Sequence, residues 1–293
     1  MKVTKETGEL LFDTDLICYG LVKSGYMAYQ ETWHRRTLRS AQLDPNDGAN
    51  WFPVTVTVDP AHKTDAVYGF TVYNAISPIV FLVGSGCLNG SSISGNALTF
   101  HYSNADTTTK FYCFDLMADN IAGSPYMKTR DVNGQITFNS LQPPLNVTYA
   151  IQAPGPGSAQ PNFGISTCYA GGYNYSLNGV INQYNWPRLI SRVDVALAAG
   201  VEYAAYLPWS RTVVIYDLYD YGGFDSARLY GGVEGAFGGV GQMSFIFGAA
   251  AGTTDSRPYV GPGGPSSPAT FTNLPTDRYP VALVIKTANL PFP

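Results

Sequence analysis

Three carboxylates fall within ten residues in the stretch YDLYDYGGFD, at Asp217, Asp220 and Asp225. Two carboxyl groups that face one another can cleave a glycosidic bond, one as acid and the other as base or nucleophile. The same side chains could hold a cation or sugar hydroxyls. Between tyrosines and beside a glycine pair, solvated turn acids are the plainer expectation. The three histidines, His34, His62 and His101, stand in no HExxH pattern, and no GxSxG elbow occurs. DPNDGAN at Asp44–Asn50 gathers oxygen ligands, but Gly48 comes one place early for a calcium loop and no Glu closes it. Asp-Pro and Asp-Gly predict a turn there instead. Cys18, Cys87, Cys113 and Cys168 are widely spaced, with no CxxC, and read as free buried thiols. No catalytic residue, metal ligand or cofactor is expected.

Binding chemistry is better supplied. WHRRTLR is the one dense basic cluster, and Arg35, Arg36 and Arg39 could clamp carboxylates of a neighbouring subunit or phosphates of lipopolysaccharide. A solvated edge strand is the alternative. CYAGGYNYSLNGVINQYNW sets Tyr169, Tyr173, Tyr175, Tyr184 and Trp186 among asparagines and glycines. Tyrosine offers rigid contact area with a polar tip, and its ring stacks on sugars. These residues are the expected receptor- or glycan-binding surface, although packing accounts for many of the chain's 21 tyrosines.

Charged residues make up only 13% of the chain, about half the usual fraction. Exposed amphipathic helices need charged faces, so the composition suits β-structure. It also suggests that sister chains cover part of the surface. The net charge of −4, with no basic stripe, argues against a nucleic-acid partner. No apolar run approaches a membrane span, and the N-terminal stretch has no signal-peptide h-region, so synthesis in a cytoplasm without membrane insertion is expected.

The elements that must position these residues are strands. VTVTV (Val54–Val58), YGFTVYN, PIVFLVG, LTFHY, KFYCFDLM, NVTYAI, TVVIYDLY, MSFIF and VALVIKT are short, β-branched or aromatic, and bounded by turn formers. Ser191–Leu207, despite its alanines, reads as two strands around a turn at Gly200. APGPGSAQP at Ala153–Pro161 marks a boundary, and Ser256–Pro268 a long loop. Glycine pairs within Tyr221–Gln242 predict tight turns between short strands, or close backbone approach between chains. The tail NLPFP is expected to act as a clamp or to touch a neighbour.

Two heptapeptides repeat. GELLFDT begins at Gly8 and GQITFNS at Gly134, 126 residues later. Each starts with a turn glycine after Thr or Asn, and each predicts a two-stranded ribbon carrying Phe12 or Phe138. This G-x-hydrophobic-x-F-[DN]-[ST] opening resembles one found in minor tail proteins of long-tailed bacteriophages. The likeness is clearest over Gly8–Gly25 and in YMKTRDVNGQITFNSLQPPLNV, about a sixth of the chain. It implies a virion protein at the tail tip or baseplate that contacts other tail proteins, with Phe12, Phe138 and the arginine cluster as contact candidates. It also implies a homo-oligomer, threefold by tail geometry, with a host pilus or lipopolysaccharide as the possible outward target.

The expected architecture is all-β, with two sandwich- or jelly-roll-like modules, 1–152 and 153–293, and short hairpin ribbons. A scaffold role is favoured over a receptor-binding protein or a carbohydrate-active enzyme.

Overall fold

The computed structural model describes residues 2–4, 6–8, 10–13, 16–38, 51–53, 64–119, 121–159, 166–181, 184–221, 224–256 and 270–293. These residues are all-β: strands and turns account for the regular structure, and no helix occurs among them. The strands expected at YGFTVYN, PIVFLVG, LTFHY, KFYCFDLM, NVTYAI, TVVIYDLY, MSFIF and VALVIKT all form. VTVTV, DPNDGAN and nearly all of the 256–268 loop lie outside the described residues.

Gln242–Ala249 shows why the interior is layered. Its burial is nearly continuous, with no alternation of wet and dry positions. Phe245 and Phe247 enter one core cluster, with Leu189, Val193, Ala236, Tyr203 and Val284. Ile246 between them enters a second, with Ile190, Val233, Phe237, Phe70 and Phe100. A strand covered on both faces reads as an unbroken apolar run. Ile79–Val83 is built the same way. Val80 and Leu82 point into the second cluster, while Phe81 and Val83 join a third with Tyr112, Phe114 and Ile285. Phe70 and Phe111 stack within the second cluster with centroids 3.6 Å apart.

The largest sheet runs Val147–Gln152, Val281–Lys286, Tyr203–Tyr206, Ile79–Val83, Phe224–Gly239, Gln242–Ala249, Tyr184–Ala196, Tyr173–Ile181, with further strands branching from it. Ile79–Val83 is joined to its two neighbours on this path by single residue pairs, Leu82 with Ala205 and Val83 with Gly238. A four-stranded sheet, Ala28–His34, Thr64–Tyr73, Ala97–Ser103, Cys87–Ser94, packs on it through Phe70, Val72, Phe100 and Tyr102. The expected boundary at residue 152 therefore runs through a shared sheet and shared cores. The Pro/Gly stretch after it does interrupt the ladder, yet it is tied to the body: Ala153 is buried, and its N–H donates to the Pro280 carbonyl at 2.9 Å.

Ser191–Leu207 contributes two strands around a turn, with Gly200 at φ +76°, as its alternation suggests. They do not pair with each other; one joins Gln242–Ala249 and the other Val281–Lys286. The glycine-rich stretch departs from expectation. Most of it is one strand of 16 residues, Phe224–Gly239. Its glycines serve close approach inside this chain. A Cβ at Gly238 would overlap the Tyr203 carbonyl oxygen, and one at Gly235 would overlap that of Gly86.

Candidate functional site

Both ribbons form, with the same strand pairing. Lys2–Thr4 pairs with Leu10–Asp13, and Lys128–Arg130 with Ile136–Asn139. Phe12 stands opposite Val3, and Phe138 opposite Thr129. Each ladder shifts register one residue later, between Val3 and Thr4 and between Thr129 and Arg130. The two turn glycines adopt φ +84° and +82°, a region open to glycine without steric cost. In the second turn only Gly134 has positive φ, so it is a wider loop than a two-residue Asn-Gly turn. Asp131 fastens it by accepting from the N–H groups of Asn133 (2.9 Å) and Gln135 (2.8 Å).

The second ribbon is docked. The Thr137 carbonyl accepts from Cys18 N–H at 2.9 Å, and Asn139 Nδ2 donates to the Ala118 carbonyl at 3.0 Å. Lys128 Nζ pairs with Asp119 at 2.6 Å and, with Arg130 nearby, holds that exposed carboxyl below the usual range. Ile136, Thr137 and Asn139 are buried, and Phe138 is half-buried.

The arginine cluster does not face outward as one patch. Arg35 is 4% exposed and forks onto Asp65, Nε to Oδ2 at 2.9 Å and Nη2 to Oδ1 at 2.8 Å. Its guanidinium lies 4.4 Å from the Tyr230 ring centroid. Arg35 therefore pins strands together and is not a subunit clamp, because Asp65 already takes both ends of the fork. Arg36 begins a short strand, Arg36–Leu38, which pairs with Thr254–Ser256; its side chain and all of Arg39 lie outside the described residues.

The tyrosines divide. Tyr169 is fully buried, and its hydroxyl donates to Glu234 Oε1 at 2.9 Å. It belongs to an interior network, and this corrects its expected place on a recognition surface. Burial pushes its phenol well above the ordinary range. Glu234 is bound in parallel by Arg211, Nε to Oε2 at 2.9 Å and Nη2 to Oε1 at 2.7 Å, and both side chains are at most 1% exposed. Tyr175 packs half-buried against the second core cluster. Tyr173 is 36% exposed, with its ring 5.8 Å from that of Tyr175, and its hydroxyl donates to Asp194 Oδ2 at 3.1 Å. Tyr184 and Trp186 sit in the outer part of their hairpin, opposite Ile181 and Gly179; their side chains are outside the description.

The structure adds partners around Tyr173 that composition did not single out. Arg192 Nε donates to Asp194 Oδ1 at 2.7 Å, and its Nη2 to Ser244 Oγ at 3.1 Å. Burial alone would push the Asp194 carboxyl up. Donation from Ser244, Arg192 and Tyr173 outweighs this and holds it below the usual range. The signal was the spacing in SRVDV: residues two apart on a strand share a face. The result is a partly exposed aromatic and ionic patch on Tyr173–Ile181, Tyr184–Ala196 and Gln242–Ala249.

Asp217 stands opposite Arg228, and Asp220 opposite Asp225, in a hairpin whose side chains there are outside the description. His101 is buried, with Nε2 2.8 Å from Ser92 Oγ and its ring against Trp33. All four cysteines are free, and burial pushes the thiols of Cys87, Cys113 and Cys168 up to about 12. Among the described residues no group of three His, Cys, Asp or Glu could hold a metal ion. Comparison of the chain with protein-family models, with curated proteins and with solved structures found no match.

Proposed function

We propose that the chain is a non-catalytic structural component of a long-tailed bacteriophage virion, at the tail tip or baseplate. There it joins other tail proteins and copies of itself, with threefold association favoured by tail symmetry. One observation carries the reading. The ribbon motif that carries the resemblance occurs twice, and both copies share register, the position of the register shift and a turn glycine of nearly equal positive φ. Two copies agreeing in detail act as a structural device, and the second packs against the body of its own chain. The experiment is immunogold labelling of virions from a phage that encodes the chain. Gold at the tail tip is expected, and deleting the gene is expected to leave particles without a complete tip. Absence of the chain from purified virions overturns the reading.

A second reading is recognition of a host pilus or surface glycan. The half-exposed Tyr173 ring beside the Arg192–Asp194 pair favours it, since a ring flanked by planar polar groups suits a sugar. Tyr173→Ala would then weaken binding to host lipopolysaccharide or pili without changing thermal stability.

A further inference from the structure

Three Asn-Gly pairs occur in the chain, at Asn89, Asn133 and Asn178. In such a pair the peptide nitrogen of the glycine can attack the side-chain carbonyl carbon of the asparagine, because no Cβ on the glycine shields that nitrogen. The fold treats the three differently. Asn89 is half-buried and its amide is held on both sides. Nδ2 donates to the Cys87 carbonyl at 2.9 Å and to Ser103 Oγ at 2.6 Å, and Oδ1 accepts from Ala251 N–H at 2.7 Å. The backbone of Asn178 and Gly179 lies in an antiparallel ladder, opposite Pro187 and Trp186. Asn133 is at the tip of the second ribbon, where Val132, Asn133, Gly134 and Gln135 are all exposed. Its side-chain amide makes one long contact, Nδ2 to Asp131 Oδ2 at 3.4 Å.

We propose that Asn133 is a site of spontaneous deamidation and that Asp131 restrains its rate. The Gly134 nitrogen gives its proton to base and bonds to Asn133 Cγ. The Cγ–Nδ2 bond breaks, ammonia leaves, and a five-membered succinimide closes. Water then opens the ring at either carbonyl, leaving aspartate or isoaspartate at that position. Asp131 opposes the first step in two ways. Its carbonyl accepts from Gly134 N–H at 3.1 Å, and its carboxylate holds the N–H groups of Asn133 and Gln135, so the turn must open before the nitrogen reaches Cγ. The negative charge of that carboxylate also disfavours loss of the Gly134 proton.

The product sets a second carboxylate beside Asp131. Isoaspartate also adds a methylene to the main chain of a turn whose glycine sits at φ +82°. The first ribbon is exempt, because at the equivalent place, 126 residues earlier, Thr7 precedes Gly8 and its side chain has no carbonyl to attack. Two ribbons that match in pairing therefore differ in lifetime. The chemistry is the same whether or not the chain belongs to a virion.

The test is to hold the full chain at mildly alkaline pH, digest samples with chymotrypsin over time, and follow by mass the peptide released between Tyr126 and Phe138. That peptide is expected to gain about one mass unit and to separate into aspartate and isoaspartate forms. The gain should be about tenfold or more faster than in the peptides carrying Asn89 and Asn178, because an exposed turn opens locally at little cost. In urea the three sites should react at similar rates. Asn133→Gln should remove the gain, and Asp131→Ala, with an unchanged circular dichroism spectrum, should quicken it severalfold. A peptide that reacts in urea but stays unmodified in the folded chain overturns the proposal, as do equal rates at the three sites in the folded chain. An unchanged rate in Asp131→Ala overturns the role given to Asp131.

Discussion

At the scale of single residues, the interior ion pair between Arg211 and Glu234 has the largest expected effect. Both groups have lost their water, and each oxygen of the carboxylate is already committed. Removing one partner leaves an uncompensated buried charge, which costs about 3–5 kcal/mol. Glu234→Ala is therefore expected to lower the urea midpoint sharply, whereas Glu234→Leu combined with Arg211→Met should recover much of the loss. If Glu234→Ala matched the wild type, the pair would not be bearing stability. Little of this was legible beforehand. Arg211 and Glu234 stand 23 positions apart with nothing local to join them, and Tyr169 was expected on a recognition surface because its stretch is rich in asparagine and glycine. Arg35 misled for a similar reason: a run of basic residues advertises a surface, while the carboxylate that draws Arg35 inward is 30 residues away. Ion pairs formed by tertiary contact leave no periodic trace in a single sequence.

At the scale of elements, periodicity was a good guide where burial was one- or two-sided and uniform. MSFIF and PIVFLVG announced themselves as strands, and cores lie on both of their faces. The ribbons were legible for a different reason: glycine at a left-handed position and a hydrophobic pattern after it fix a hairpin locally. The 16-residue strand Phe224–Gly239 was not legible, because its glycines carry the signature of turns while answering to backbone crowding from distant strands. That difference can be measured on adjacent residues. Gly238→Ala would drive a methyl into the Tyr203 carbonyl and is expected to cost about 3 kcal/mol or more. A Cβ at Gly239 meets only Gln242 Cγ, at 3.7 Å, so Gly239→Ala should be neutral or slightly stabilising in thermal unfolding. Equal effects at the two positions would refute the crowding argument.

At the scale of the whole molecule, the two halves suggested by the Pro/Gly stretch share one interior. The second core cluster draws Phe70, Leu82 and Phe111 from before residue 152, and Ile190, Phe237 and Ile246 from after it. Expressed separately, 1–152 and 153–293 are each expected to lack the near-ultraviolet signal of packed aromatics, and to regain it only when mixed, if at all. A fragment that folds alone with a cooperative transition would show that the shared core is not needed. The tail contributes to the same closure. The Phe292 ring meets Tyr26 edge-on at 5.0 Å, and Ser24 Oγ donates to the Pro291 carbonyl at 2.6 Å, so the expected clamp forms within the chain.

The strand Val281–Lys286 has an unusual address: it lies between Val147–Gln152 and Tyr203–Tyr206, both of which precede it in the chain by at least 75 residues. During synthesis those two strands must wait, each with one row of peptide groups unmet, until residue 286 has left the ribosome. Assembly of this sheet is therefore a late event that depends on distant segments, and such pairings are slow to find one another. A nascent chain stalled before that point would present two sticky borders at once, and a chaperone would have most to do in that interval.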